Sequence, residues 1–217
     1  DLGSPKPSEF ESRRNITMKM FKRFAAALLA GVMVLAMLTA CGGNGGGGVD
    51  TRTNEQKAED AYLAVYSGLF GKEYSNDSAL QAKAKAFVED ALDENGNLKS
   101  GKNVTDTTGM IMIATDENGN PLAITETDLA ELQDTNAVKA QGETVRKALK
   151  AALVKELKEK DPTASDDDIA KLVDTLYDMI VKKVEAIGVG AVTKENGKIY
   201  VAVAVKMANA TSISALV

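Results

Sequence analysis

The sequence predicts an α+β fold: an antiparallel sheet of about four strands with helices packed on it, an arrangement that an α-β-α sandwich also satisfies. Three observations carry this. Four stretches repeat apolar residues at helical spacing, short apolar runs flank Asn-Gly turns, and the order is helix, helix, hairpin, helix, helix, hairpin. One face of the sheet is expected to lie under the helices.

The first helix starts at Thr53, which has capping-box spacing to Gln56, and Ala58, Tyr62, Val65, Tyr66 and Leu69 form its apolar face before Gly71. Ser78 and Gln81 repeat the spacing ahead of a second stripe, Leu80, Ala84, Phe87, Val88 and Ala91. That helix ends at Asp93-Glu94-Asn95-Gly96-Asn97, and the same five residues recur at Asp116 to Asn120. A calcium loop of the EF-hand kind needs glycine at its sixth position and a carboxylate at its twelfth. Leu98 and Val104 stand there in the first copy, Pro121 and Thr127 in the second, so both are read as tight turns in which Asn-Gly supplies positive φ. Met110 to Ala114 and Leu122 to Ile124 flank the second copy as the strands of a hairpin.

A long helix follows from near Thr135, with Val138, Val145, Leu149, Ala152, Leu153 and Leu157 inward and Lys147, Lys150, Lys155, Lys158 and Lys160 on a solvated face. Asp161-Pro162 breaks it. Ser165 then caps a helix with Asp166, Asp167 and Asp168 in its first turn, where carboxylates meet the positive end of the helix dipole. Neighbouring helical residues point about 100° apart, which argues against one metal ion shared by the three. Ile169, Leu172, Val173, Leu176, Tyr177, Ile180, Val181 and Val184 form the most regular stripe in the chain. Ile187 to Thr193, a Glu195-Asn196-Gly197 turn and Ile199 to Met207 close the fold as a hairpin. Alternation sets Ile199, Val201, Val203, Val205 and Met207 on one face, Tyr200, Ala202, Ala204 and Lys206 on the other. Gly188 and Gly190 lack the third glycine and the preceding strand of a nucleotide loop, and read as a strand packed closely on a helix.

Composition narrows the function. The 217 residues carry 26 basic and 31 acidic side chains; six and three of these precede Cys41, leaving 20 against 28 in the remainder. A surface of that sign repels phosphate backbones, so nucleic acid is not an expected partner. The chain has no histidine, and with it go the commonest general base, the usual zinc ligand and the Ser-His and Cys-His pairs. No cofactor or metal site is expected.

The amino-terminal part is of another kind. Lys19, Lys22 and Arg23 precede an uncharged run from Phe24 to Ala40, the layout of a secretory signal. The run is at the lower limit for a membrane span, about 20 residues, and is followed by glycine instead of a basic flank. Leu38, Thr39, Ala40 and Cys41 at its end resemble, position by position, the lipobox of bacterial lipoprotein signal peptides. The resemblance implies cleavage before Cys41, diacylglycerol on its thiol and an extracytoplasmic, membrane-anchored protein. The chain then divides into residues 1–17, upstream of the signal and set apart from the fold as non-native or misannotated; 18–40, the signal; 41–53, a glycine-rich flexible tether; and 54–217, a single α+β domain. The tether reaches roughly 20 Å.

Ile187-Gly188-Val189-Gly190 and, beyond the turn, Tyr200-Val201-Ala202-Val203 resemble the closing strands of the CAP superfamily, also called SCP or PR-1. That resemblance implies an α-β-α sandwich common among secreted bacterial proteins. The family's cleft holds paired histidines with acidic partners, and this chain has none, so no catalytic or metal residue carries over.

Three functions remain open. The favoured one is a lipid-anchored, non-catalytic domain binding an envelope protein or glycan. A carboxylate-based enzyme is the second; Glu89 and Asp90 diverge on their helix, and no Ser-x-x-Lys motif is present. A small solute-binding lipoprotein is the third, for which roughly 160 residues is short of two lobes.

Overall fold

The computed structural model describes residues 51–106, 110–116, 118–160 and 162–208. Helix α1 (Asn54–Phe70) starts at its expected capping box: Gln56 N donates to Thr53 Oγ1 at 3.2 Å, and Thr53 N donates to Gln56 Oε1 at 2.9 Å. Helix α2 (Ser78–Ala91) is capped one residue earlier than the spacing suggests. The Asp77 carboxylate accepts from Ala79 N and Leu80 N, at 3.1 and 2.9 Å, and an anion at that end also meets the helix dipole. Gln81 is thereby released for another task.

Strands β1 (Thr105–Asp106) and β2 (Ile111–Ile113) precede a six-residue helix α3 (Glu126–Glu131), too short for periodicity to reveal. Helix α4 (Thr135–Lys160) and helix α5 (Asp166–Lys183) start where expected, under Asp134 and Ser165. Two ion pairs join them, Lys150–Asp174 at 2.9 Å and Lys158–Asp166 at 2.7 Å. Their stripes are less deeply buried than the periodicity implies. Ala152 is exposed and Leu172 is 46% exposed, because residues on the margin of a seam between two helices stay in solvent. Val184, assigned by its spacing to α5, instead opens β3 (Val184–Thr193), which pairs with β4 (Ile199–Met207).

The sheet has the order β1-β2-β4-β3, antiparallel throughout. The expected pairing of Met110–Ala114 with Leu122–Ile124 as two strands is corrected here. β2 lies between β1 and β4; around the 116–120 turn the expected hairpin closes through a Thr115–Pro121 bridge and one Leu122 N–Ala114 O hydrogen bond at 2.8 Å, and Ile124 then crosses to Ile199. Pro121 has no N–H to extend a ladder, whereas β4 offers β2 a long apolar partner. We call residues 121–124 the strap.

The sheet is buried on both faces, not one. Ile187, Val189, Ala191, Ile199, Val201, Val203 and Val205 pack under α1 and α4 with Tyr62, Tyr66 and Leu69. On the other face Tyr200, Ala202, Ala204, Ile111 and Ile113 meet Ala84, Val88 and Ala91 of α2. The alternation is as expected, but the second set is small because α2 lies directly on it. A Cβ on Gly190 would sit 2.6 Å from Lys85 N, and one on Gly188 would overlap the backbone at Leu80 and Gln81. The result is three layers, with α1, α4 and α5 on one side of the sheet and α2 on the other.

Candidate functional site

Helices α1 and α2 lie on opposite faces, and their rims meet over the outer edge of β3. An edge strand carries alternate N–H and C=O groups that no neighbour satisfies. Here they are taken up in sequence. Asp77 N donates to Ile187 O at 2.9 Å. The Asn76 carboxamide then pairs with both backbone groups of Val189, accepting from its N–H at 2.8 Å and donating to its carbonyl at 3.0 Å. Ala191 N donates to Glu59 Oε1 at 3.1 Å. At the end of the strand the Thr193 hydroxyl donates to Glu55, and this bond is the main cause holding the Glu55 carboxyl below the usual carboxylate range.

Glu59 is the centre of this arrangement. It is 3% exposed and the one charged side chain in the buried core among the described residues. Its Oε1 also receives the Lys85 ammonium at 2.8 Å, and its Oε2 receives Gln81 Nε2 at 2.6 Å. A buried carboxylate is tolerated only with such a set of donors. Together these donors make Glu59 a lock that ties the β3 edge to α2. Beneath it, burial pushes the phenols of Tyr62 and Tyr66 upward, away from proton transfer at neutral pH.

The remaining acidic candidates are dispersed. Asp90 pairs with Lys102 at 2.7 Å while Glu89 is exposed beside it. Asp166 reaches Lys158 and Asp168 bonds Ser165, so the three aspartates of α5 do not converge. Asp93 and Asp116 each accept backbone N–H groups of their own turns, which holds both carboxyls below the ordinary value. Among the described residues no three His, Cys, Asp or Glu side chains are grouped to hold a metal ion. No helix among them is long and apolar enough to cross a membrane.

No family model, curated protein or solved structure matches this chain. The expected lipobox, Leu38, Thr39, Ala40 and Cys41, lies outside the described residues, as does the tether as far as residue 50. Of the residues expected to end the tether, Arg52 pairs with Asp60 at 2.6 Å and Thr53 caps α1. The two stretches that resemble the CAP superfamily are neighbouring strands, with Gly188 opposite Ala204 and Gly190 opposite Ala202, and they form the bed for α2. Sequence reasoning passed over Glu59. Its one local signal is position: it sits three and seven residues before Tyr62 and Tyr66, a charge within the apolar face of α1.

Proposed function

We propose that the protein is a lipoprotein of the cell envelope: a non-catalytic binding domain held to the membrane through lipid on Cys41, with an envelope protein or glycan as its partner. The observation that carries this reading is Leu38-Thr39-Ala40-Cys41 placed directly after a basic and then apolar run and directly before a glycine tract. The fold is compatible with it. Helix α1 begins at the end of the tether, and Glu59, the one buried carboxylate among the described residues, holds the sheet edge. The resemblance to the CAP superfamily adds no site residue, since the chain has no histidine.

Intact-mass analysis of the protein extracted from membranes, beside a Cys41→Ala variant, tests the reading. The native chain is expected to begin at a diacylated Cys41, and the variant to lack lipid. An unmodified Cys41 on a chain that leaves the membrane in aqueous buffer would overturn it.

A further inference from the structure

Of the four Asn-Gly dipeptides in the sequence, Asn44-Gly45 lies outside the described residues and three lie in turns, Asn95-Gly96, Asn118-Gly119 and Asn196-Gly197, with glycine φ of 81°, 82° and 73°. In each the glycine N–H donates to the carbonyl three residues back, at 3.0, 3.0 and 2.9 Å. Asparagine followed by glycine is the pair most prone to lose its side-chain amide, because no side chain shields the attacking backbone nitrogen. The three turns share that chemistry and differ in what surrounds them.

Two of them clasp each other. Asn196 Nδ2 donates to Asn95 O at 2.6 Å and to the Tyr200 hydroxyl at 3.0 Å, while Asn196 Oδ1 accepts Lys198 N at 2.9 Å. Its carboxamide is therefore fixed at both ends. The Tyr200 hydroxyl also donates to Asn95 O at 3.4 Å, and Gly96 is buried against that ring so closely that a Cβ there would overlap it. The third turn stands apart. Among the described residues its hydrogen bonds stay within Asp116, Asn118, Gly119 and Asn120, residues 118–120 are exposed, and the space above Gly119 is open.

We propose that Asn118 is a site of spontaneous deamidation, and that Asn95 and Asn196 are protected by their mutual clasp. In the reaction Gly119 N gives up its proton and attacks Asn118 Cγ; the N–Cγ bond forms, the Cγ–Nδ2 bond breaks, and the amide leaves with that proton as ammonia. Water then opens the cyclic imide at either carbonyl, giving aspartate or isoaspartate. One water is consumed and one ammonia released, with no change of oxidation state. Ring closure requires the Gly119 N–H to leave Asp116 O, which this isolated turn allows without disturbing another element. The product sets a second carboxylate beside Asp116, and the isoaspartyl form lengthens the backbone where the 116–120 turn closes. The change falls directly ahead of the strap.

The clasp adds two hydrogen bonds that must break before Asn95 can react, so its rate should fall roughly tenfold or more below that of Asn118. The test is peptide mapping, with isoaspartate quantified, of the full chain aged at mildly alkaline pH both folded and in denaturant. In the folded protein conversion is expected at Asn118 before Asn95 and Asn196, and in denaturant at similar rates at these three. An Asn196→Ala variant should raise the rate at Asn95 towards that of Asn118. Conversion of Asn95 or Asn196 as fast as Asn118 in the folded chain, or an Asn118 inert there and reactive only in denaturant, would overturn the proposal.

Discussion

Replacing Glu59 with alanine removes the acceptor of three donors at once, and the three do not lose equally. Lys85 has a side chain 39% exposed and can turn its ammonium to water at little cost. Ala191 N cannot turn: it lies on a fully packed edge, and a buried N–H without a partner costs about 1–3 kcal/mol. Gln81, half-buried beside it, adds about 1 kcal/mol, and the space left by the carboxylate stem a comparable amount. The total is about 3–5 kcal/mol, the range found when a buried pair loses one member. With a urea dependence of about 2 kcal/mol/M, the unfolding midpoint should drop by roughly 2 M. Two companions sharpen the assay. Glu59→Gln keeps one acceptor for Ala191 N and should cost less than half as much, whereas Lys85→Met should cost under about 1 kcal/mol, as exposed ion pairs do. Hydrogen exchange at the Ala191 amide should accelerate in Glu59→Ala ahead of global unfolding. If Lys85→Met is as damaging as Glu59→Ala, the ion pair and not the capped edge is what matters; if Glu59→Ala costs under about 1 kcal/mol, the edge lock is wrong.

Two further outcomes follow from the packing and from the turns. Gly190→Ala would place a Cβ 2.6 Å from Lys85 N, against backbone that cannot swing aside, so α2 must lift from β3. The expected loss is about 3 kcal/mol, read as a fall in melting temperature of roughly 6–12 °C; an unchanged melting temperature would refute the close contact. Asp93 and Asp116 have carboxyls lowered below 3.8, chiefly by the backbone N–H groups of Asn97 and Asn120. A carboxyl depressed on folding favours the folded turn above its unfolded pKa and loses that contribution as pH falls through the folded value. Both turns should therefore loosen only in acid, seen as a lower protection factor, relative to the intrinsic exchange rate, at the Asn97 and Asn120 amides below about pH 4; equal protection factors at pH 3 and pH 6 would contradict this.

What was legible in the sequence is what local chemistry decides. Thr53 with Gln56, Ser165 with Asp168 and the alternation of Ile199 to Met207 each act within a few residues, and each lies where its spacing placed it. The misreadings arise where a competitor was close or a partner was distant. Asp77 took the cap from Ser78 because an anion one residue earlier reaches Ala79 N and Leu80 N, the first free amides of the helix. β1 and α3 are too short to show a period, and β2 chose β4, which arrives 86 residues later in the sequence, over the nearer run beyond Pro121. The close packing of Gly188 and Gly190 on a helix was legible, but the helix could not be named from the sequence, and Ala202 and Ala204 beside them carry no apolar signal strong enough to mark a second buried face. Their small size is the signature of a helix lying against them. Glu59 was invisible for the same reason: its donors come from residues 81, 85 and 191, and nothing near residue 59 announces them.

That lock bears on the tethered reading. A lipid anchor confines copies of a protein to a surface, where the local concentration of like neighbours is raised and chance edge-to-edge encounters become frequent. A ten-residue apolar strand at the edge of a sheet is the feature most exposed to such encounters, since its free N–H and C=O groups would pair with the same strand of another copy. On β3 those groups are met by Asp77 N, Asn76 and Glu59, with Glu55 holding the Thr193 hydroxyl at the strand's end. At the opposite edge β1 is two residues long and offers little to extend. The burial of a charge at Glu59 is thus best understood through what it prevents: a carboxylate over Ala191 N stabilises no more than an apolar packing residue would, but it denies the strand to a second chain.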